Sequence, residues 1–451
     1  MKAPKRALSM FAIGVALALA FFIVPAVTDS GQQASADAPF QLYYYDGHMH
    51  TTRQDGTGSV ADIVATAKAR GLSAVIITDH CEGLTEENWA SLKEETAEES
   101  DSTFLALPAF EITGNEGILN RGHMNAYNAP DPFVGDDSLE LCPEEVWPDA
   151  DEDGNPAGTG VQYPENLEKW ASYVHSQGGI VNQNHPSGST KLSYGVNNIE
   201  IYNQGHVDDV AGYAAQLGYP PNVAWQFGIM LNNLAIYGER DLANVVPWPY
   251  PPYQITVKLA VYYATLIFTG VGQWLGAPQA PLNSWDDLLM AYVGGTVKRP
   301  TFAVANSDAH NTGDIVNSKV GSAKNGLYVK ALTPDEVYKA IKAGRSFATN
   351  GPSLAFTVNG KMMGSAAKIA SGGSVTLSLS AAAETAGYVV AKMVIYKNGQ
   401  LWKTIPGGGP TTLTDTVTAD GYYRIEVTSA PATVPGFPQF AYSNPVFVDI
   451  P

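Results

Sequence analysis

The sequence predicts an α/β fold, with parallel strands alternating with helices, followed by an all-β C-terminal sandwich. Three observations carry this. Short apolar runs each end in a His, Asp or Glu, helical repeats lie between them, and the composition changes after Pro352 to alternating Thr-, Val-, Ser- and Gly-rich stretches. The runs are Leu42 to Tyr45 before His48, Ala74 to Ile77 before Asp79-His80, Phe104 to Phe110 before Glu111, and Gly179 to Val181 before His185. Ile199 to Tyr202, which contains Glu200, and Phe302 to Val304 before Asp308 complete the series. Between the first two, Ser59-x-x-Asp62 opens an apolar repeat of Val60, Ile63, Val64 and Ala67 that stops at Gly71, the signature of a capped helix.

Further along, Glu165 to Gln177 reads as an amphipathic helix with His175 on its solvated face. An apolar, aromatic insertion occupies about 205–299, including "PWPYPPY" and Ile255 to Leu275 with Lys258 as its one lysine. A helical cap over the sheet is the favoured reading, with a membrane-contacting patch or a lid over an apolar pocket as alternatives. Thr333-Pro334-Asp335-Glu336 starts a helix that Gly344 ends. From Ser353 to Pro451, "SVTLSLS", "AKMVIYKNG" and "YYRIEVTS" alternate as strands do, and Lys397-Asn398-Gly399 marks a hairpin, which suggests an immunoglobulin-like sandwich.

At the amino terminus, Lys2, Lys5 and Arg6 precede the apolar stretch Met10 to Val27, and Ala34-Ser35-Ala36 offers a small-residue cleavage pattern. Residues 1–36 therefore read as an export signal, the alternative being an uncleaved membrane anchor. With two cysteines, Cys81 and Cys142, the chain has no disulfide framework, though one bridge can form. The formal net charge of −18 disfavours long nucleic acid, which needs a basic track, and points to a small substrate.

Six of the eight histidines stand in an ordered series with carboxylates: His48-x-His50, Asp55, Asp79-His80, Glu111, His123, His185 and Asp308-x-His310. Imidazole and carboxylate together suit zinc, manganese or iron, and scattered pairs gathered by a fold are the usual way to build a multinuclear metal site. Cations sharing a carboxylate would acidify a bridging water and neutralise a developing oxyanion.

The segments "DGHMHTT", "DGTGS", "ITDHCEG", "AFEIT", "GHMNAYN", "NQNHP", "IEIYN", "ANSDAHN" and "AGRSFATNGP" resemble, in order, those of the PHP (polymerase and histidinol phosphatase) metallohydrolases, most closely the CehA/McbA-type branch. The resemblance runs from about Tyr43 to Pro352 and implies a distorted (β/α)7 barrel over 40–350, with the sandwich at 353–451. It implies one metal held by His48, His50, Glu111 and Asp308, a second by Glu111, His123 and His185, and a third by Asp55, His80 and His310. Glu111 would bridge, and Asp55 stands where some relatives carry a histidine. Two or three divalent ions, a metal-bridging hydroxide and a small phosphomonoester or phosphodiester substrate follow from the same resemblance. Carboxylic ester or carbamate hydrolysis is the alternative chemistry, and a non-catalytic secreted binding protein with structural metals is the alternative class.

Glu111, Asp308 and His310 are the catalytic candidates, the last two as proton donors to a leaving oxygen. Asp79 and Asn184 are read as groups that orient ligands. Glu200 is read as either a structural or a catalytic carboxylate. His206 is a candidate substrate contact at the site mouth, with a plain loop histidine as the alternative, and Arg53, Arg121 and Arg345 are candidate phosphate holders. Asp149-x-Asp151-x-Asp153-Gly154 resembles the start of a calcium loop, but Gly160 stands where the closing glutamate belongs.

Overall fold

Period-two alternation in the strands decides where the chemistry sits. In the computed structural model, β2 (Ala74–His80) sends Val75 and Ile77 outward against helices α1 (Val60–Ala69) and α2 (Glu86–Glu98), and Ala74 and Ile76 inward. Continuing that alternation delivers Thr78 and His80 to the inner face. In β3 (Leu105–Thr113), Leu105, Leu107 and Ala109 face inward, so Glu111 does too. The structure describes residues 39–81, 84–113, 123–129, 165–185, 195–205, 207–208, 284–311, 319–432 and 437–451, the side chains of 165–170 excepted. The 1–36 leader, Arg121, Cys142, the Asp149, Asp151, Asp153 loop, His206 and most of the apolar insertion lie outside the described residues.

Local signals mature as their chemistry dictates. Ser59 caps α1 and exchanges bonds with Asp62 in a capping box, and the buried face is Val60, Ile63, Val64 and Ala67. Two further helices are α3 (Glu165–Ser176) and α4 (Trp285–Val293). Helix α5 (Pro334–Lys342) starts on the Thr333 side chain with Pro334 in its first turn. Its buried Val337, Ala340 and Ile341 join Ile76, Leu107, Tyr127 and Ile180 in an apolar layer inside the curled sheet.

The inner strands are β1 (Gln41–Asp46), β2, β3, β4 (His123–Tyr127), β5 (Ile180–Asn184), β6 (Asn198–Asn203) and β7 (Phe302–Asn306), hydrogen-bonded in that order. On its other edge β1 pairs antiparallel with β8 (Lys324–Val329), and β8 with β9 (Ser346–Thr349). The barrel expectation needs two corrections. First, β4 runs antiparallel to β3 and β5. The 114–122 link is shorter than the dozen or so residues that a parallel crossover requires.

Second, the barrel is not closed. Among the described residues β7 ladders with β6 alone, and two asparagines cover its free edge instead. Asn325 of β8 accepts from Ala305 N (2.8 Å) and donates to Ala305 O (2.7 Å). Asn444 treats Ala303 the same way, at 2.7 and 3.1 Å. Each side-chain amide thus satisfies one residue's N–H and C=O as a neighbouring strand would.

Beyond Pro352 lie β10 (Ser353–Val358), β11 (Lys361–Met362), β12 (Ala366–Lys368), β13 (Ser374–Ala382), β14 (Tyr388–Lys397), β15 (Gln400–Pro406), β16 (Thr411–Thr416), β17 (Gly421–Pro431), β18 (Gln439–Ser443) and β19 (Val446–Asp449). The expected hairpin is present: Lys397 faces Gln400 across Asn398 and Gly399, both with left-handed φ (52° and 74°). A four-stranded sheet, β11-β10-β13-β16, buries Phe356, Val375 and Leu377 against Met393, Ile395, Ile425 and Val427 of a second layer. That second layer is continuous with the inner sheet, because β18 pairs with β9. No helix among the described residues is long and apolar enough to cross a membrane.

Helix α4 is clamped to β17 by a buried ion pair. Arg424 donates to both Asp286 oxygens (2.8 and 2.7 Å), Tyr422 Oη donates to Asp286 Oδ1 (2.5 Å), and the guanidinium stacks on Trp285 and Tyr396. Arg424 also pairs with Glu426, so Asp286→Ala leaves the buried guanidinium one carboxylate instead of two and is expected to destabilise the protein by about 3 kcal/mol. Thermal or denaturant unfolding of the variant measures the loss, and an unchanged midpoint would refute the clamp.

Candidate metal centre

Two extended loops carry four of the site residues side by side. Met49 and Ala309 form an isolated parallel bridge, and His50 N donates to Ala309 O (2.9 Å). Both intervening residues are buried in the outer core. Their neighbours His48, His50, Asp308 and His310 therefore project together on the opposite side. Asp79 steadies the first loop by accepting from Thr51 N (2.6 Å) and Thr51 Oγ1 (2.7 Å). The turn carrying Asp55 packs so closely that a Cβ on Gly56 would lie 2.2 Å from His50 O, so glycine is required there.

His80 and Glu111 are register partners at the ends of β2 and β3, and His185 follows β5. His123 instead opens β4, opposite Asn184. Because β4 is reversed, its first residue lies at the same end of the sheet as the last residues of β3 and β5. No apolar run precedes His123, which is why strand-end placement could not find it.

Glu111 is the centre of the cluster. Its Oε2 lies 3.1 Å from His48 Nε2, 3.2 Å from His50 Nε2 and 3.6 Å from His80 Nδ1. Its Oε1 lies 2.9 Å from His123 Nδ1 and 3.6 Å from His185 Nε2, and accepts from Asn184 Nδ2 at 2.8 Å. Asp308 Oδ1 stands 3.3 Å from His48 Nε2 and 3.5 Å from His50 Nε2. A third group gathers at Asp55: His310 Nε2 at 3.1 Å, His80 Nε2 at 3.5 Å and His50 Nδ1 at 3.6 Å.

The donor atoms fit divalent ions. Four overlapping sets lie within 4.8 Å: His48, His50 and Glu111; His48, His185 and Asp308; Glu111, His123 and His185; and His50, Asp55, His80 and His310. His48 Nε2 and His50 Nε2 stand 3.1 to 3.5 Å from each other, from Glu111 Oε2 and from Asp308 Oδ1. Tetrahedral ligands at zinc-like bond lengths stand about 3.3–3.4 Å apart. His48 Nε2 and His50 Nε2 face each other at 3.3 Å, and buried His50 Nδ1 has no hydrogen-bond partner, both of which leave lone pairs to be used. The last set adds His50 to Asp55, His80 and His310, the three residues that the family resemblance implies for a third metal.

Burial grades across the site. His48, His50 and Glu111 form a closed floor, His80, His123, His185 and Asp308 are partly covered, and the Asp55 and His310 side chains are 53% and 39% exposed. Burial works against the charged forms, but reciprocal attraction outweighs it for most of the cluster. Burial raises the Glu111 and Asp308 carboxyls, yet the surrounding imidazoles, His48 foremost, hold both well below the usual range. Burial lowers His48 and His185, but neighbouring carboxylates lift both above the ordinary histidine value. His310, also opposed by burial, is pushed up to about 9 by its bond to Asp55 and the charge of Asp308. His123 goes down, because burial there exceeds the pull of Glu111.

The remaining sequence candidates divide. Glu200 is at the site, bonded to His48 Nδ1 (2.9 Å). Arg53 pairs with Glu95 and Ser91 on α2 rather than facing the cluster. Arg345 stacks on Phe40, at the opposite end of β1 from His48. His175 is half-buried and bonds Asn197 (2.5 Å), contrary to its expected solvated position. Its partner comes from the loop before β6, which the helix pattern could not reveal. Cys81 is disulfide-bonded. Sequence reasoning missed Asn203, which donates to Glu200 (2.9 Å) and Asp308 (3.3 Å), and Asn306, which donates to Glu200 (2.7 Å).

No known family profile matches the chain, and no curated protein does. Among solved structures, a two-domain Bacteroides vulgatus protein, described as containing a predicted PHP-like metal-dependent phosphoesterase, aligns at 14% identity over 91% of this chain and 99% of that one, TM-score 0.33. An amidohydrolase from Chromobacterium violaceum aligns at 16% identity over 39% of this chain and 84% of that one, TM-score 0.24. A lesion-specific endonuclease from Pyrococcus furiosus aligns at 12% identity over 67% of this chain and 56% of that one, TM-score 0.29.

Protons and cations compete for the same nitrogens. With its pKa raised from 6.5 to about 9, His310 contributes stability to the metal-free protein that is fully present below about pH 6.5 and lost as pH rises through about 9. Metal affinity should rise over that interval, with protons released on binding. Chelator-competition titrations and melting of the metal-free protein between these limits check both, and a pH-independent affinity would contradict the assignment.

Proposed function

We propose that this protein is a metal-dependent hydrolase of small phosphate esters. The observation that carries this reading is the convergence of six imidazoles and three carboxylates into overlapping donor sets around Glu111. The motif order resembling the PHP metallohydrolases, and their CehA/McbA-type branch, supports the same reading. When bound, divalent cations would supply Lewis acidity, acidify water and neutralise charge on the transferred group.

Charge balance favours phosphate over a neutral ester. The donor sets contain three carboxylates, Asp55, Glu111 and Asp308, and Glu200 lies against His48, so two divalent ions balance the four negative charges and a protonated His310 leaves a net positive centre suited to an anionic substrate despite the acidic surface. The exposed side, at Asp55 and His310, is where substrate would enter. With two cations bound, His310 holds a proton at Nε2 against Asp55 and is placed to pass it to a leaving oxygen, its Nδ1 being steadied by Asp308 O (3.0 Å). Glu111, shared by two of the donor sets, would hold the cations.

Export fits the basic, apolar and small-residue pattern of residues 1–36, and the disulfide at Cys81 suits an oxidising compartment. We read the sandwich as structural, since it supports α4 and the β7 edge.

Purified protein loaded with manganese or zinc should hydrolyse nitrophenyl phosphate or bis-nitrophenyl phosphate faster than naphthyl esters or a DNA duplex. Glu111→Gln should reduce activity to the chelated background and lower metal content on elemental analysis. Preference for naphthyl esters would transfer the assignment to carboxylic ester chemistry, and cleavage of the duplex would extend it to DNA. Metal-loaded protein inert toward every substrate class would favour a binding protein.

A further inference from the structure

Glu200 lies outside the donor sets that could hold a cation, yet it is fully buried beside them. Four donors surround it. Its Oε1 receives His48 Nδ1 (2.9 Å) and Asn306 Nδ2 (2.7 Å), and its Oε2 receives the His185 backbone N (2.8 Å) and Asn203 Nδ2 (2.9 Å). An ionised carboxylate offers about four lone-pair sites, so none is left for a metal.

What Glu200 holds are two of the groups that matter most. A carboxylate can only accept, so Glu200 keeps a proton on His48 Nδ1, and Nε2, which faces Glu111 and Asp308, is the nitrogen left to a cation once the ring has given up its second proton. The His185 peptide is held with φ at 21°. Asp308, at φ 54°, is tied to the same hub through Asn203, which touches both carboxylates. Asn306 extends the network to the backbone N of Gly47 (2.9 Å), one residue before His48. Residues in left-handed geometry persist only where their surroundings over-determine them.

We propose that Glu200 is a positioning residue of the metal centre: it fixes the His48 tautomer and clamps the His185 backbone, so that three ligands from three strands are in place before a cation arrives. The proposal rests on the metal-centre reading above. In Glu200→Gln one oxygen becomes an NH2 that must face two donors. Turned toward His48, it donates to Nδ1 and moves the imidazole proton to Nε2, the atom the cation needs.

The test is zinc binding by chelator competition on the full chain, wild type and Glu200→Gln, with folding followed by circular dichroism. Glu200→Gln should keep the wild-type stoichiometry but bind zinc about 10- to 100-fold more weakly. Nitrogen-15 histidine spectra of the metal-free proteins, titrated upward to the pH at which the His48 ring is neutral and with its signal identified by its loss in His48→Gln, should show Nδ1–H in the wild type and Nε2–H in Glu200→Gln. Equal zinc affinity in both proteins overturns the proposal. If Glu200→Gln fails to fold, the wild-type spectrum decides: Nδ1–H on His48 supports the role and Nε2–H overturns it. Wild-type protein that takes up no zinc at any loading instead overturns the metal-centre reading, a distinct outcome.

Discussion

Glu111 is surrounded on both oxygens by imidazoles, and keeping that one carboxylate ionised in a buried place is the condition around which this end of the molecule is organised. Five histidines approach it from β1, β2, β4 and β5, and Asn184 donates to it from within the sheet. An unpaired carboxylate there would carry a desolvation penalty of several kcal/mol. Reciprocal attraction lowers the acid and raises His48 and His185, so the metal-free cluster is a network of shared protons. Coordination of divalent ions would replace those protons with the side chains already close to one another.

Much of the site was legible in the sequence because strand geometry is local. Apolar runs alternating inward and outward place whatever follows them at a strand tip, and the H-x-H and D-x-H spacings announce two neighbouring ligands on one side of an extended segment. The capping box at Ser59 and Asp62 was equally readable, since its partners are three residues apart. By contrast, the hub made by Glu200, Asn203 and Asn306 depends on contacts between segments more than a hundred residues apart, such as Asn306 with Glu200. An asparagine in an apolar strand carries no mark of which distant carboxylate it will meet.

The strand direction at His123 and the seam at β7 were illegible for a related reason. Periodicity reports which face a residue takes, not whether its strand runs up or down. Nor does it say whether a curled sheet closes by a backbone ladder or by side-chain amides. Asn325 and Asn444 perform that second solution from opposite ends of the sequence, one before the Pro352 boundary and one after it.

The boundary suggested by composition is therefore not a joint at which the molecule comes apart. Strand β9 finds its partner in β18, Ala303 finds its amide in Asn444, and α4 finds its counter-ion in Arg424. Truncation after Asn350 would uncover two adhesive strand margins and one orphaned acid at once. The terminal hundred or so residues are better regarded as the outer wall of the half that carries the histidine cluster than as a cassette that recombination could trade for another.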